Sequence, residues 1–165
     1  MHEKNDDIKI IPYHPKYRSS YKTLNTEWLN TYFSIEPADE QILSHPEQEI
    51  LNNNGYIFFA VSNEKPIGTC TLMKHDDHTF ELSKMCVSPR YQGLGIGEEL
   101  LDKVITFAQE KGAHIITLQT NSVLTAAMNL YRKKGFKETT TIHPSSQKTF
   151  RRQSTHMILD LTSQE

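Results

Sequence analysis

Apolar residues recur along this chain with two different periods. Tyr17, Tyr21, Leu24, Trp28 and Tyr32 stand three or four apart, which predicts a helix from Lys16 onward. A second stripe, Leu100, Leu101, Val104, Ile105 and Ala108, runs through "EELLDKVITFAQEKG" and stops at Gly112, a common helix end. "LTAAMNLYRKKG" reads as a third helix, with Ser122 or Thr125 available as its cap. The strands are shorter and denser in apolar residues. "IKIIPY" opens the chain, and "YIFFAVS" and "IGTCTLMK" form a hairpin through the turn "NEKP". "KHDDH" then turns the chain into "FELSKMCVS", so three consecutive antiparallel strands are expected. "HIITLQTN" is nearly continuous in apolar residues, as a strand covered on both faces would be. "FKETTTI" and "THMILDL" close the chain as two strands around the polar loop "HPSSQKTFRR". Between the first helix and the first hairpin, Pro37 and Pro46 break a polar stretch into short pieces; Ser44 can cap the second, and Gly55 ends it.

Composition narrows the class. The 165 residues suit one domain, residues 1–165 with a core over about residues 8–162. A hydrophobic share of 36% and a charged share of 23% describe an ordinary globular chain. A net charge of -2 gives no overall attraction to nucleic acid or to an anionic membrane. No apolar run approaches the ~18 residues of a membrane span, and the charged start "MHEKNDDIKI" lacks a secretion core. Cys70 and Cys86 lie in strand-like segments without metal-type spacing, as buried free thiols do. A reduced, cytoplasmic setting is the expectation.

Three of the seven glycines fall in "QGLGIG", Gln92 to Gly97, between a strand and a helix. Such a turn can serve only to reverse the chain. It can also expose main-chain amides, to which a helix start adds about half a positive charge, and so hold a diphosphate. A Walker loop would need Lys and Ser/Thr after its last glycine, where Glu98 and Glu99 stand. The dinucleotide pattern G-x-G-x-x-G would need glycine at Glu98, and antiparallel strands precede the loop, so a Rossmann nucleotide enzyme is disfavoured. What remains is Gln-x-x-Gly-x-Gly at Gln92, Gly95 and Gly97.

With "MCVSP" before it and "A-x-x-LY-x-x-x-GF" on the second helix after it, this pattern resembles the GNAT superfamily of N-acetyltransferases, over nearly the whole chain. The resemblance implies an α/β (α+β) fold: a mixed, mostly antiparallel sheet of about seven strands with helices on both faces. It implies acetyl-coenzyme A as cosubstrate, with its pyrophosphate on Gln92, Gly93, Leu94, Gly95, Ile96 and Gly97. The pantetheine arm would lie along the main chain of Met85, Cys86 and Val87, where an amide at a bulge would polarise the thioester carbonyl. Asn121 would add an amide contact, although Leu124 occupies the family's more usual asparagine position; an Asx-type helix start is the other reading.

By the same resemblance Tyr131 is the general acid for the departing thiolate, or else a packing residue of its helix. Glu81 is the candidate general base, expected on the same strand face as Ser83, Met85 and Val87; otherwise it is a solvated residue paired with Lys84 or Lys74. Arg132, Lys133 and Lys134 belong to a helix's last turn and carry no catalytic role. His75, Asp76, Asp77 and His78 could be metal ligands, but they read as turn residues, and the chemistry needs no metal. The acceptor surface would include Glu27, Trp28, Tyr32, Phe33, Glu36 and the loop with Phe150, Arg151 and Arg152. Aromatic rings with carboxylates suit a cationic amine, whereas Arg152 suits a carboxylate. The expected activity is transfer of acetyl from acetyl-coenzyme A to a primary amine, small-molecule or peptide, by direct attack in a ternary complex, with a homodimer allowed. The competing reading is a non-catalytic acyl-coenzyme A sensor or partner-binding module on the same fold.

Overall fold

The computed structural model describes residues 8–143 and 154–163. Strand β1 (Ile8–Pro12) leads through a single 3-10 turn into helix α1 (Arg18–Tyr32), followed by the short helices α2 (Pro37–Ser44) and α3 (Pro46–Glu49). Then come β2 (Tyr56–Ser62), β3 (Lys65–Asp76) and β4 (Thr79–Val87), helix α4 (Ile96–Glu110), β5 (Ile115–Thr120) and helix α5 (Thr125–Lys133). Strands β6 (Lys137–Glu138) and β7 (Thr155–Asp160) complete the sheet. Its order is β1-β2-β3-β4-β5-β7-β6, with β4 and β5 parallel and every other neighbour antiparallel. The mixed seven-stranded sheet matches the expected fold class.

The alternation of β2 divides two cores. Phe58 and Ala60 join Leu100, Leu101, Val104 and Ala108 of α4 on one face, while Ile57, Phe59 and Val61 join Tyr21, Leu29, Ile42 and Leu43 of α1 and α2 on the other. Each fully buried aliphatic or aromatic side chain contributes about 1.5–3 kcal/mol, so the sheet is clamped from both sides. The α1 face differs from the predicted one. Tyr21, Asn25 and Leu29 point inward, and Trp28 is only half-buried, with Tyr32 exposed. Asn25 is tolerated inside because its Nδ2 donates to Tyr21 O at 2.9 Å and its Oδ1 accepts from the Cys86 thiol at 3.6 Å.

Several local expectations are corrected by side-chain bonding. Ser44 does not cap α3; His45 holds that position, and Ser44 Oγ bonds Glu40 and accepts from Lys22. Neither Ser122 nor Thr125 caps α5, which starts after Leu124 without a side-chain cap bond. The second hairpin turns on Asp77 and His78 alone, so His75 and Asp76 belong to strand β3. Strand β5 is fully buried only at Ile116 and Leu118; its other residues are half-buried. Across the sheet, Tyr21 Oη lies 2.7 Å from Thr71 Oγ1 in the buried interior. Tyr21→Phe leaves the Thr71 hydroxyl without that partner and is expected to cost about 1–3 kcal/mol, read as a lower urea midpoint with unchanged m-value.

Candidate active site

Strands β4 and β5 pair from Thr79↔Ile115 to Leu82↔Leu118 and then part; Gln119 and Thr120 pair onward only with β7. A cleft of about 700 Å³ opens in this gap. At the same level β4 bulges. Thr69 faces Cys86 and Thr71 faces Ser83, so both Lys84 and Met85 oppose Cys70, and Lys84 stands at φ 45°. The extra residue reverses the alternation. Phe80 and Leu82 pack with α4, and so do Met85 and Val87, whose side chains lie 3.6 and 4.0 Å from a Cβ built on Gly97. Lys84 and Cys86 turn to α2 and α1. Glu81 therefore shares its face with Cys86 and not, as strand alternation predicts, with Met85 and Val87.

One mouth of the cleft is the glycine turn. Gly93 and Gly95 have φ of 80° and 84°, which disfavours other residues there, and Gly95 is the residue from which α4 starts. The N–H of Glu99 already bonds Gly95 O at 3.1 Å, which leaves the amides of Ile96, Gly97 and Glu98 at the head of a 15-residue helix. Gly97 is different: a Cβ there would touch only side-chain ends at ordinary contact distance, so packing within the protein does not require glycine. Gln92 turns its Nε2 back to Val87 O at 3.0 Å and ties the turn to β4. Gln92, Gly93, Gly95, Ile96 and Gly97 line the cleft; Leu94 does not, and packs against the core instead. Glu98, which would repel an anion, is held by Lys134 at 2.7 Å and Lys133 at 3.0 Å, and these cations keep its carboxyl below the usual range. Arg132 bonds Glu138 at 3.0 Å, so all three cations have acidic partners.

Met85, Cys86, Val87 and Asn121 line the walls deeper in, together with Glu81 and Tyr131. Asn121 Oδ1 accepts the Val123 N–H at 2.9 Å, the Asx-type turn that starts α5. Tyr131 is buried, edge-on to Phe136 at 5.8 Å, and burial pushes its phenol well above the ordinary tyrosine range. Glu81 is also buried, and its Oε1 lies 2.6 Å from His75 Nε2. That partner was missed at the level of sequence, where Lys84 and Lys74 were the alternatives; these instead meet Asp39 and Asp77. The signal was the two-residue turn, which brings His75 of β3 back toward Glu81 of β4. Among the described residues the side chains of this stretch do not gather as a ligand set: His75 faces Glu81, Asp76 bonds His143 at 2.8 Å, and His78 stacks on His114 at 4.1 Å. Cys86 remains a thiol, because burial first and the charge of Glu27 second push it up to about 12.

Trp28, Tyr32 and Phe33 form an aromatic cluster along the α1 side of the cleft, with Trp28 centred 5.2 Å from Tyr32 and 5.8 Å from Phe33. Glu27 lies apart from that wall, in a neighbouring hollow of about 100 Å³ that Trp28, Val87 and Gln92 also border. Phe150, Arg151 and Arg152 lie outside the described residues.

Comparison with known proteins agrees with this geometry. The Acetyltransferase (GNAT) family profile matches residues 21–136. The chain is 32% identical to human N-acetyltransferase 8B over 103 residues, 59% of this chain and 45% of that protein. It is 34% identical to human N-acetylaspartate synthetase over 105 residues, 62% of this chain and 35% of that protein. The chain thus spans about half or less of the length of these curated relatives. Among solved structures, an acetyltransferase of the GNAT family from Staphylococcus aureus Mu50 superposes with a TM-score of 0.84 at 28% identity, covering 93% of this chain and 99% of that one. An acetyltransferase from Salmonella typhimurium, solved with acetyl-CoA, shares the fold with a TM-score of 0.71 at 18% identity, covering 94% and 95%. A family match over more than two thirds of the chain, on a sheet that parts where the glycine turn begins, places this chain in the GNAT acetyltransferase family.

Proposed function

We propose that the chain transfers the acetyl group of acetyl-CoA to a primary amine by direct attack within a ternary complex. The observation that carries this reading is the cleft between β4 and β5, with the helix start at one mouth and Glu81 and Tyr131 in its walls. Acetyl-CoA, when bound, supplies a thioester carbonyl already activated toward amines. Main-chain amides of the turn from Gln92 to Gly97 hold its pyrophosphate, and Leu94 contributes through backbone alone because its side chain belongs to the core. Main-chain groups of Met85, Cys86 and Val87 hold the pantetheine arm in the place β5 vacates, and Asn121 joins them from the opposite wall.

Glu81 takes the proton released as the amine nitrogen bonds the acetyl carbon, with His75 fixing its carboxylate. Tyr131 protonates sulfur as the carbon–sulfur bond breaks. Direct attack is favoured over an acetyl-cysteine route because the cleft's cysteine, Cys86, stays protonated at neutral pH. The rings of Trp28, Tyr32 and Phe33 supply a face for the acceptor, and Glu27 and Glu81 supply negative charge.

A thiol-release assay tests the proposal, with acetyl-CoA against polyamines, aminoglycosides, lysine peptides and α-amino acids; the name of N-acetylaspartate synthetase is a reason to include the last. Release that depends on one amine class is expected. Saturable coenzyme A uptake with no release across the panel would favour the sensor reading. Glu81→Gln is expected to lower kcat/KM by about 10²–10⁴-fold with coenzyme A affinity unchanged. A variant that turns over at the wild-type rate is evidence against Glu81 as base.

A further inference from the structure

Four described residues other than glycine have positive φ. Asn54, Asn63 and Glu64 occupy turns, whereas Lys84 stands inside a strand at φ 45°. A lysine does not favour that conformation by itself, so its surroundings must hold it. Its ammonium lies 2.6 Å from Asp39 Oδ1, with the Asp39 side chain fully buried and that of Lys84 only 9% exposed. The second carboxylate oxygen, Asp39 Oδ2, accepts the main-chain N–H of Glu36 at 2.9 Å at the start of α2. One carboxylate thus joins α2, whose Ile42 lines the cleft, to the bulge of β4 beyond its last pair with β5. A buried ion pair of this kind adds little net stability over apolar side chains of similar volume, but it can fix one conformation among several.

Resting on the acetyl-transfer reading, we propose that Asp39 is a positioning residue: through Lys84 it holds the β4 bulge, and with it the main-chain N–H that polarises the acetyl carbonyl. Lys84 is the strut of this device and makes no bond to the reacting atoms.

The test compares two double variants with the wild-type chain. Asp39→Asn/Lys84→Met removes both members of the ion pair together, and asparagine can still accept the Glu36 N–H. It is expected to fold and to bind coenzyme A as the wild type does, with kcat for thiol release lower by about 10²-fold, the cost of one lost carbonyl donor. Asp39→Asn/Lys84→Gly is expected to recover most of that loss, because glycine takes a positive φ unaided. The carbonyl ¹³C shift of bound [1-¹³C]acetyl-CoA should follow the same order and reads the bulge without turnover.

Wild-type kcat in the methionine variant overturns the proposal. So does a folded glycine variant as slow as the methionine one, since that result gives the Lys84 ammonium a direct role. If the methionine variant does not fold, the glycine variant alone decides, through near-wild-type kcat or its loss. A wild type that binds acetyl-CoA but releases no thiol overturns the transfer reading, and the ¹³C order still judges the ion pair. A wild type that takes up no acetyl-CoA overturns both.

Discussion

Tyr131→Phe is expected to slow acetyl transfer by about 10²–10⁴-fold while coenzyme A affinity and thermal stability stay near wild type. The ring is buried against Phe136, and phenylalanine keeps that packing. Among the described residues no group hydrogen-bonds the Tyr131 hydroxyl, so its removal strands none of them. The change is then confined to the proton. Burial raises the phenol's pKa and keeps it protonated through the neutral range, as an acid must be. Free thiolate, with a conjugate acid near 8.5 in water, is a weaker base than the phenoxide, so the proton moves only because the cleft also withholds water from the leaving sulfur and raises its basicity. The measurement is single-turnover thiol release together with calorimetric coenzyme A affinity. Equal rates for variant and wild type would hand the proton to water and remove Tyr131 from the mechanism.

Gly97→Leu should separate binding from folding. Residue 97 lies in the first turn of α4, where leucine forms helix at least as well as glycine. A Cβ there meets Met85 Cε at 3.6 Å and Val87 Cγ2 at 4.0 Å, contacts that require no rearrangement. Thermal stability should therefore be unchanged or slightly higher. The side chain would occupy the approach to the α4 amides. Losing two hydrogen bonds to a charged diphosphate, at about 1.5–3 kcal/mol each, weakens acetyl-CoA binding by at least ~100-fold. A leucine variant that binds as tightly as the wild type would show that the phosphates do not rest on this helix start.

The parts of the fold that were legible in the sequence share a physical cause. The α4 stripe and the run "YIFFAVS" are elements whose apolar pattern is set by a core they touch directly, and both appear where the pattern places them. The glycine turn was legible because positive φ and close approach leave few residue choices. The α1 face was misjudged because its central inward residue is Asn25, a polar side chain satisfied locally and so invisible to an apolar count. The bulge at Lys84 carries no glycine or proline to mark its place; the resemblance implies one at Met85 to Val87, but unbroken alternation through it reverses the assigned face of Glu81. His75 was read as a turn residue because β3 runs two residues past the apolar pattern, into "HD". The partners of Glu81 and Lys84 come from β3 and α2, which only the folded chain brings together.

The most direct measurement is a calorimetric titration of acetyl-CoA into the wild-type chain and into Gly97→Leu, each first checked by thermal unfolding. Binding in the cleft between β4 and β5 gives saturable one-to-one uptake by the wild type and at least ~100-fold weaker uptake by an equally stable variant. No heat from the wild type, or equal affinity in the two chains, would contradict it.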